Sequence, residues 1–241
     1  MKIEICANSY QSAINAERAG ADRIELCVEL AVGGITPSHG LIEKVVQELS
    51  IPVFVLIRPR SGNFTYTSDE FDVIKKDIEY CKSVGCKGIV SGILMSDNTI
   101  DTVRTKELIT ISKPMSFTFH RAFDWAPKPL DSLKQLIAIG VERILTSGQE
   151  IAAIEGIELL KNALEQSKQN MIIMPGGGIN AENATVFKEA GFKEIHFSAT
   201  SLKQVIDTPK ITMNSVRFSD ETTVAISNYD KIVEIKNLLD Q

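Results

Sequence analysis

One pattern recurs four times along this chain and restricts its fold more than any other feature: a helix-like end, a glycine, a short polar link, then an apolar strand. It reads Ala19-Gly20-Ala21-Asp22-Arg23-Ile24, Val84-Gly85-Cys86-Lys87-Gly88-Ile89, Ile139-Gly140-Val141-Glu142-Arg143-Ile144 and Ala190-Gly191-Phe192-Lys193-Glu194-Ile195. Glycine takes the left-handed conformation that ends a helix, so each site marks a helix stop and a new strand. Strand-like runs at 52–57, 115–119 and 171–174 lie between these sites, and Ile3-Glu4-Ile5-Cys6 opens the chain. Four of each kind make eight short, mostly apolar strands, as expected for parallel strands covered on both faces. Amphipathic stretches at 12–19, 41–49, 68–84, 101–112, 130–139, 151–167 and 181–190 fill the gaps, and 229–239 supplies a last helix. Thr36-Pro37 reads as the cap and first position of the second helix.

Strict alternation of strand and helix argues for a parallel sheet. An open doubly wound sheet and a closed barrel both satisfy it. Eight units in 241 residues, against about 250 for an ordinary α/β barrel, favour closure. So does the lack of a G-x-G-x-x-G run after the first strand. The expectation is a single-domain (β/α)8 TIM barrel over residues 1–241. The segment 203–227, polar in places and weakly periodic, reads as a loop with short elements before the last helix.

The net charge of −5 offers no general attraction to phosphate backbones or anionic lipid, so nucleic acid and membrane surfaces are poor partners. No apolar run approaches the ~18 residues that a span needs. Glu4 interrupts any signal-like opening, so a cytoplasmic chain is expected. Its cysteines, Cys6, Cys27, Cys81 and Cys86, are then reduced thiols, and none forms a C-x-x-C pair.

Polar residues gather where the strands end, the active face of such barrels. Glu4 and Cys6 share one strand face, and Glu25 and Cys27 share another. If both faces point inward, two carboxylates enter the barrel and need partners. Arg58 is the natural one, because guanidinium pairs well with carboxylate, and His120 can join it. Glu4, Glu25, Arg58, His120, Arg121 and Asp124 are the candidate catalytic residues. A structural ion-pair layer is the competing reading, and Arg121 with Asp124 also reads as a local pair. Gly176-Gly177-Gly178, with Gly148 and Ser198 beside it, is a candidate anion site ahead of a helix near Asn180. A tight turn explains the same glycines. Cys6 and Cys27 on neighbouring strands can hold a soft ion such as Cu(I), although buried cysteines also serve as small hydrophobes. His39 reads as a loop residue, His196 as packing against a helix, and Trp125 as a wall or a loop cover.

Taken together, these motifs resemble the CutC family. The marks are Glu4-Ile5-Cys6, the run from Gly20 to Cys27, Gly33-Gly34-Ile35-Thr36-Pro37-Ser38 and Ile57-Arg58-Pro59-Arg60. Phe119-His120-Arg121-Ala122-Phe123-Asp124, Leu145-Thr146-Ser147-Gly148-Gln149 and Met174-Pro175-Gly176-Gly177-Gly178 continue them. The resemblance runs to about Ser201. It implies a barrel, a cytoplasmic setting, a role in copper homeostasis with Cu(I) on Cys6 and Cys27, and a homodimer. The Glu, Arg and His residues suggest a different occupant, a small phosphorylated or carboxylated metabolite acted on by an enzyme. The ligand expected is therefore a copper ion or a small anionic metabolite.

Overall fold

The computed structural model describes residues 1–213 and 220–241. Eight parallel strands alternate with helices. The strands are β1 (Lys2–Ala7), β2 (Arg23–Leu26), β3 (Val53–Leu56), β4 (Gly88–Ser91), β5 (Ser116–Phe119), β6 (Arg143–Thr146), β7 (Ile172–Pro175) and β8 (Glu194–Phe197). The helices that follow the first seven strands are α1 (Tyr10–Arg18), α2 (His39–Glu48), α3 (Ser68–Ser83), α4 (Thr102–Ser112), α5 (Pro129–Ile139), α6 (Ile157–Ser167) and α7 (Ala184–Glu189). Hydrogen bonding runs β7–β6–β5–β4–β3–β2–β1–β8, and a single parallel bridge between Gly176 and His196 joins the ends. This is the expected (β/α)8 barrel.

The repeated link does what its glycine dictates. Gly140 ends α5 at φ 86°, and its N–H bonds the carbonyls of Ile137 and Leu136. The chain then turns directly into β6. Inside the barrel the strands alternate. Ile3, Ile5 and Ala7 belong to the large core beneath the helices. Cys6, Cys27, Phe54, Leu56 and Val90 form a second cluster apart from it. In register, Glu4 stands beside Arg23 and Cys6 beside Glu25, so the period-2 reading of β1 and β2 holds.

Three boundaries differ from expectation. Ser38, not Thr36, caps α2. Thr36 is engaged elsewhere, since its N–H bonds Arg58 O at 3.0 Å and its hydroxyl accepts from Arg58 N at 2.8 Å. Residues 151–156 do not continue α6 backward. Ala153 N–H bonds Gly177 O at 2.9 Å, which ties the loops after β6 and β7. Before α7, Asn180 N–H bonds the Asn183 side chain at 3.0 Å, so the chain turns there before it coils.

Part of the segment 203–227 is a hairpin of β9 (Thr200–Gln204) and β10 (Thr223–Ser227), and residues 214–219 lie outside the described ones. The hairpin is fastened to β1 and α1. Asn8 donates to Ala225 O at 2.9 Å, Ser227 N–H to Ser12 Oγ at 3.0 Å, and Ser227 Oγ to Cys6 O at 3.3 Å. The last helix, α8 (Tyr229–Asp240), follows. Among the described residues, no helix is long and apolar enough to cross a membrane.

Candidate functional site

Two levels of polar residues fill the barrel. The lower is an ion-pair layer. Arg23 on β2 binds Glu4 and also Glu194 on β8, the latter at 2.5 Å. Arg143 on β6 reaches the same Glu194 at 2.6 Å and donates to Thr118 Oγ1 at 3.1 Å. Both guanidinium groups lie over the Phe54 ring, at 5.0 and 5.5 Å from its centroid. A Cβ on Gly88 would stand 2.6 Å from that ring, so β4 needs glycine at this level.

Arg58 is not the partner of the two carboxylates. It sits one level higher, past the end of β3. Its guanidinium is spent on main-chain carbonyls: Val32 at 2.7 Å, Gly34 at 2.9 Å and Gly62 at 2.8 Å. Arg23 takes that role for Glu4 only, and Glu25 pairs with His196 instead. His196 also departs from expectation. On β8 it shares the inward face of Glu194, two residues earlier, so it points into the barrel and not at a helix. Its Nδ1 lies 2.7 Å from Glu4 Oε1 and its Nε2 3.5 Å from Glu25 Oε2.

His196 thus joins the ion layer to the upper level. Cys6 Sγ, a Glu25 oxygen and a His196 nitrogen all lie within 4.8 Å of one another. Cys6 Sγ is 3.5 Å from Cys27 Sγ. Above them opens a cavity of about 300 Å³. Cys6, Glu25 and His196 face it from one side. Arg58, His120, Arg121 and Asp124 face it from the strand-end loops, and Phe64 and Trp125 wall it. Cys27 is fully buried beneath, and Glu4 lies below with the ion layer.

Asp124 is saturated. It accepts from Thr146 Oγ1 and the N–H groups of Ser147 and Gln149, and it pairs with Arg121 at 2.8 Å. It therefore clamps the β5 loop to the β6 loop. Gly148, Gly176, Gly177, Gly178 and Ser198 stand outside the cavity lining. Gly177 lies beside Arg121, since a Cβ there would meet Arg121 Nη1 at 3.3 Å.

Burial pushes both carboxylates up, but their neighbours divide them. Against that burial, Arg23 and His196 pull Glu4 down to about 2. Burial, with the Glu4 charge in support, leaves Glu25 at about 7 despite His196. Burial opposes a charge on His196, yet Cys6, Glu4 and Glu25 raise it well above the usual histidine value. Contact with Cys27, burial and Glu25 push the Cys6 thiol up. His120 goes the other way: burial and Arg58 hold it down to about 3, so its ring is neutral.

Stability carried by this cluster is therefore greatest near pH 4.5. Below that, Glu4 binds protons more readily when unfolded, so stability falls as pH drops towards 2. Above it, Glu25 keeps its proton to about 7 only when folded, so stability falls as pH rises. His196 extends that loss upward. Denaturant unfolding of the wild type should lose up to roughly 3 kcal/mol more than Glu25→Gln between pH 4.5 and 7.5. Equal losses in the two proteins would mean that Glu25 titrates as an ordinary carboxylate.

Residues 1–201 match the CutC family model. The chain belongs to the CutC family. A human CutC-family relative, the copper homeostasis protein cutC homolog, is 46% identical over 202 residues, covering 83% of this chain and 74% of its own. A CutC family protein from Histophilus somni is 38% identical and covers the whole of both chains. The crystal structure of a putative copper homeostasis protein CutC from Streptococcus agalactiae superposes with a TM-score of 0.78. It is 37% identical and covers 82% of this chain and 98% of its own. A phosphoribosylanthranilate isomerase from Thermotoga maritima, at 11% identity and a TM-score of 0.61, shares the barrel alone. Assignment to the CutC copper homeostasis family thus joins the sequence motifs to this geometry.

Sequence reasoning overlooked Arg23, Arg143, Glu194 and Thr118. The first three stand in the repeated links, each immediately before an isoleucine. Read there as linker polarity, they are the first inward residues of β2, β6 and β8.

Proposed function

We propose that this chain is a copper-handling protein that takes Cu(I) between the Cys6 and Cys27 thiolates. One observation carries the reading: the two sulfurs meet at 3.5 Å, with Cys6 opening to the cavity. Paired thiolates are the soft donors that Cu(I) prefers. His196, protonated beside Cys6, favours the thiolate form, and Glu25 stands by as a third donor group. The Cys6 thiol holds its proton at rest, so uptake releases it and affinity rises with pH. The reading needs a reducing compartment, the cytoplasm, to keep the pair from oxidising.

Anaerobic Cu(I) titration against a competing chelator tests it. Cys6→Ala and Cys27→Ala should each lose more than the roughly 10–100-fold that removal of an outer partner costs. Cys81→Ala, on α3, should bind as the wild type does. Unchanged affinity in both site variants overturns the proposal.

A second reading is favoured by Glu25, a buried carboxyl at about 7 that faces the cavity. A group poised near neutrality suits general acid–base catalysis. On this reading the chain is an enzyme for a small anionic metabolite.

A further inference from the structure

The cavity walls carry unequal charges. Arg121 is paired with Asp124, and His196 is set between Glu4 and Glu25. Arg58 differs. It is buried, all its guanidinium bonds go to carbonyls, and no described carboxylate lies within salt-bridge reach. Arg58 is therefore the cation of the lining with no carboxylate beside it.

His120 stands next to that charge with a fixed tautomer. Ala122 N–H donates to its Nδ1 at 3.2 Å, so Nδ1 presents its lone pair. The neutral ring then carries its hydrogen on Nε2. That N–H is buried and has no partner among the described residues, although unpaired buried donors are rare. The ring is held on purpose-built ground. A Cβ on Gly92 would lie 2.6 Å from His120 Nδ1, so any other residue there displaces it. Phe64 also packs against it, with ring centroids 4.9 Å apart.

We propose that this cavity binds a small organic carboxylate, its negative charge answering Arg58 and one oxygen accepting from His120 Nε2–H after a small shift of the ring, since that N–H is closed off from solvent at rest. Volume and walls narrow the class. About 300 Å³ is at the small end of ligand sites. Val32, Leu56 and Leu145 line the cavity as well, and Phe64 meets Trp125 edge-on at 5.0 Å. Such apolar walls suit a carbon skeleton and not a bare phosphate. The proposal rests on the reading of the cavity as a metabolite site and is independent of copper.

The test uses the full, metal-free chain at pH 7. Acetate, glycolate, lactate and benzoate are titrated by thermal shift and calorimetry, with phosphate and chloride at equal ionic strength. At least one carboxylate should stabilise the protein saturably, and phosphate should not exceed chloride. His120→Phe, which keeps a ring against Phe64 but removes the donor, should weaken that carboxylate roughly tenfold. Gly92→Ala, which moves the ring, should weaken it likewise. A Cys81→Ala variant, changed on α3 away from the cavity, should bind it unchanged. A response to phosphate alone overturns the carboxylate assignment while leaving an anionic-metabolite site standing. No response to any anion overturns both, as wild-type affinity in His120→Phe overturns the carboxylate geometry.

Discussion

Replacing Arg23 by methionine should cost about 3–5 kcal/mol. Arg23 is buried and neutralises two buried carboxylates at once, Glu4 and Glu194. Methionine fills much of the volume but leaves Glu194 with Arg143 alone and Glu4 with His196 alone. A half-satisfied ionic layer is worse than either a complete one or none. Urea unfolding measures the loss. The control is Arg23→Met combined with Glu194→Leu, which should cost less than the two single changes summed, because the partners share one network. A loss below about 1 kcal/mol in Arg23→Met would show that the layer is solvated and its charges are not interdependent.

Phe54→Ala should cost a comparable amount, about 3–5 kcal/mol. For a chain of this size that lowers Tm by roughly 6–20 °C. The ring packs between the ion layer and the Cys6–Cys27 cluster. It carries both Arg23 and Arg143 on its face and occupies the space that Gly88 leaves open. Its removal opens a void next to two guanidinium groups, which the rigid strands cannot close. Calorimetry on Phe54→Ala and Phe54→Leu separates the terms. Leucine should recover the packing share but not the cation–π share, about 0.5–2 kcal/mol. Full recovery by leucine would remove any role for the ring's face.

The barrel was legible because its signal is periodic and local. Gly20, Gly85, Gly140 and Gly191 stop helices by a conformational rule that needs no tertiary context. Alternation along Glu4-Ile5-Cys6 and Glu25-Leu26-Cys27 placed four interior residues correctly, since facing follows from the pleat once the register is right. Partnership was not legible. Arg58 and Arg23 are equally plausible cations in a sequence, and the level at which each enters the barrel decides between them. Level depends on strand tilt and stagger, which are properties of the closed sheet. His196 was misjudged for want of the same inference on β8, although Glu194-Ile195-His196 carries the alternation plainly. The hairpin of β9 and β10 is not legible in the sequence because its strands are half-buried to exposed with little alternation. They lack the inside-outside contrast that sequence patterning relies on.

The closure of the ring has a mechanical consequence. Seven strand junctions are laddered, whereas β7 meets β8 through one bridge, and the residue on the β8 side of that bridge is His196. The barrel's weakest line thus runs through the side chain that couples its two levels. Slow amide exchange should be least protected along 176 and 196–198, and an occupant held near His196 would act as a rivet, converting an open-ended sheet into a closed hoop.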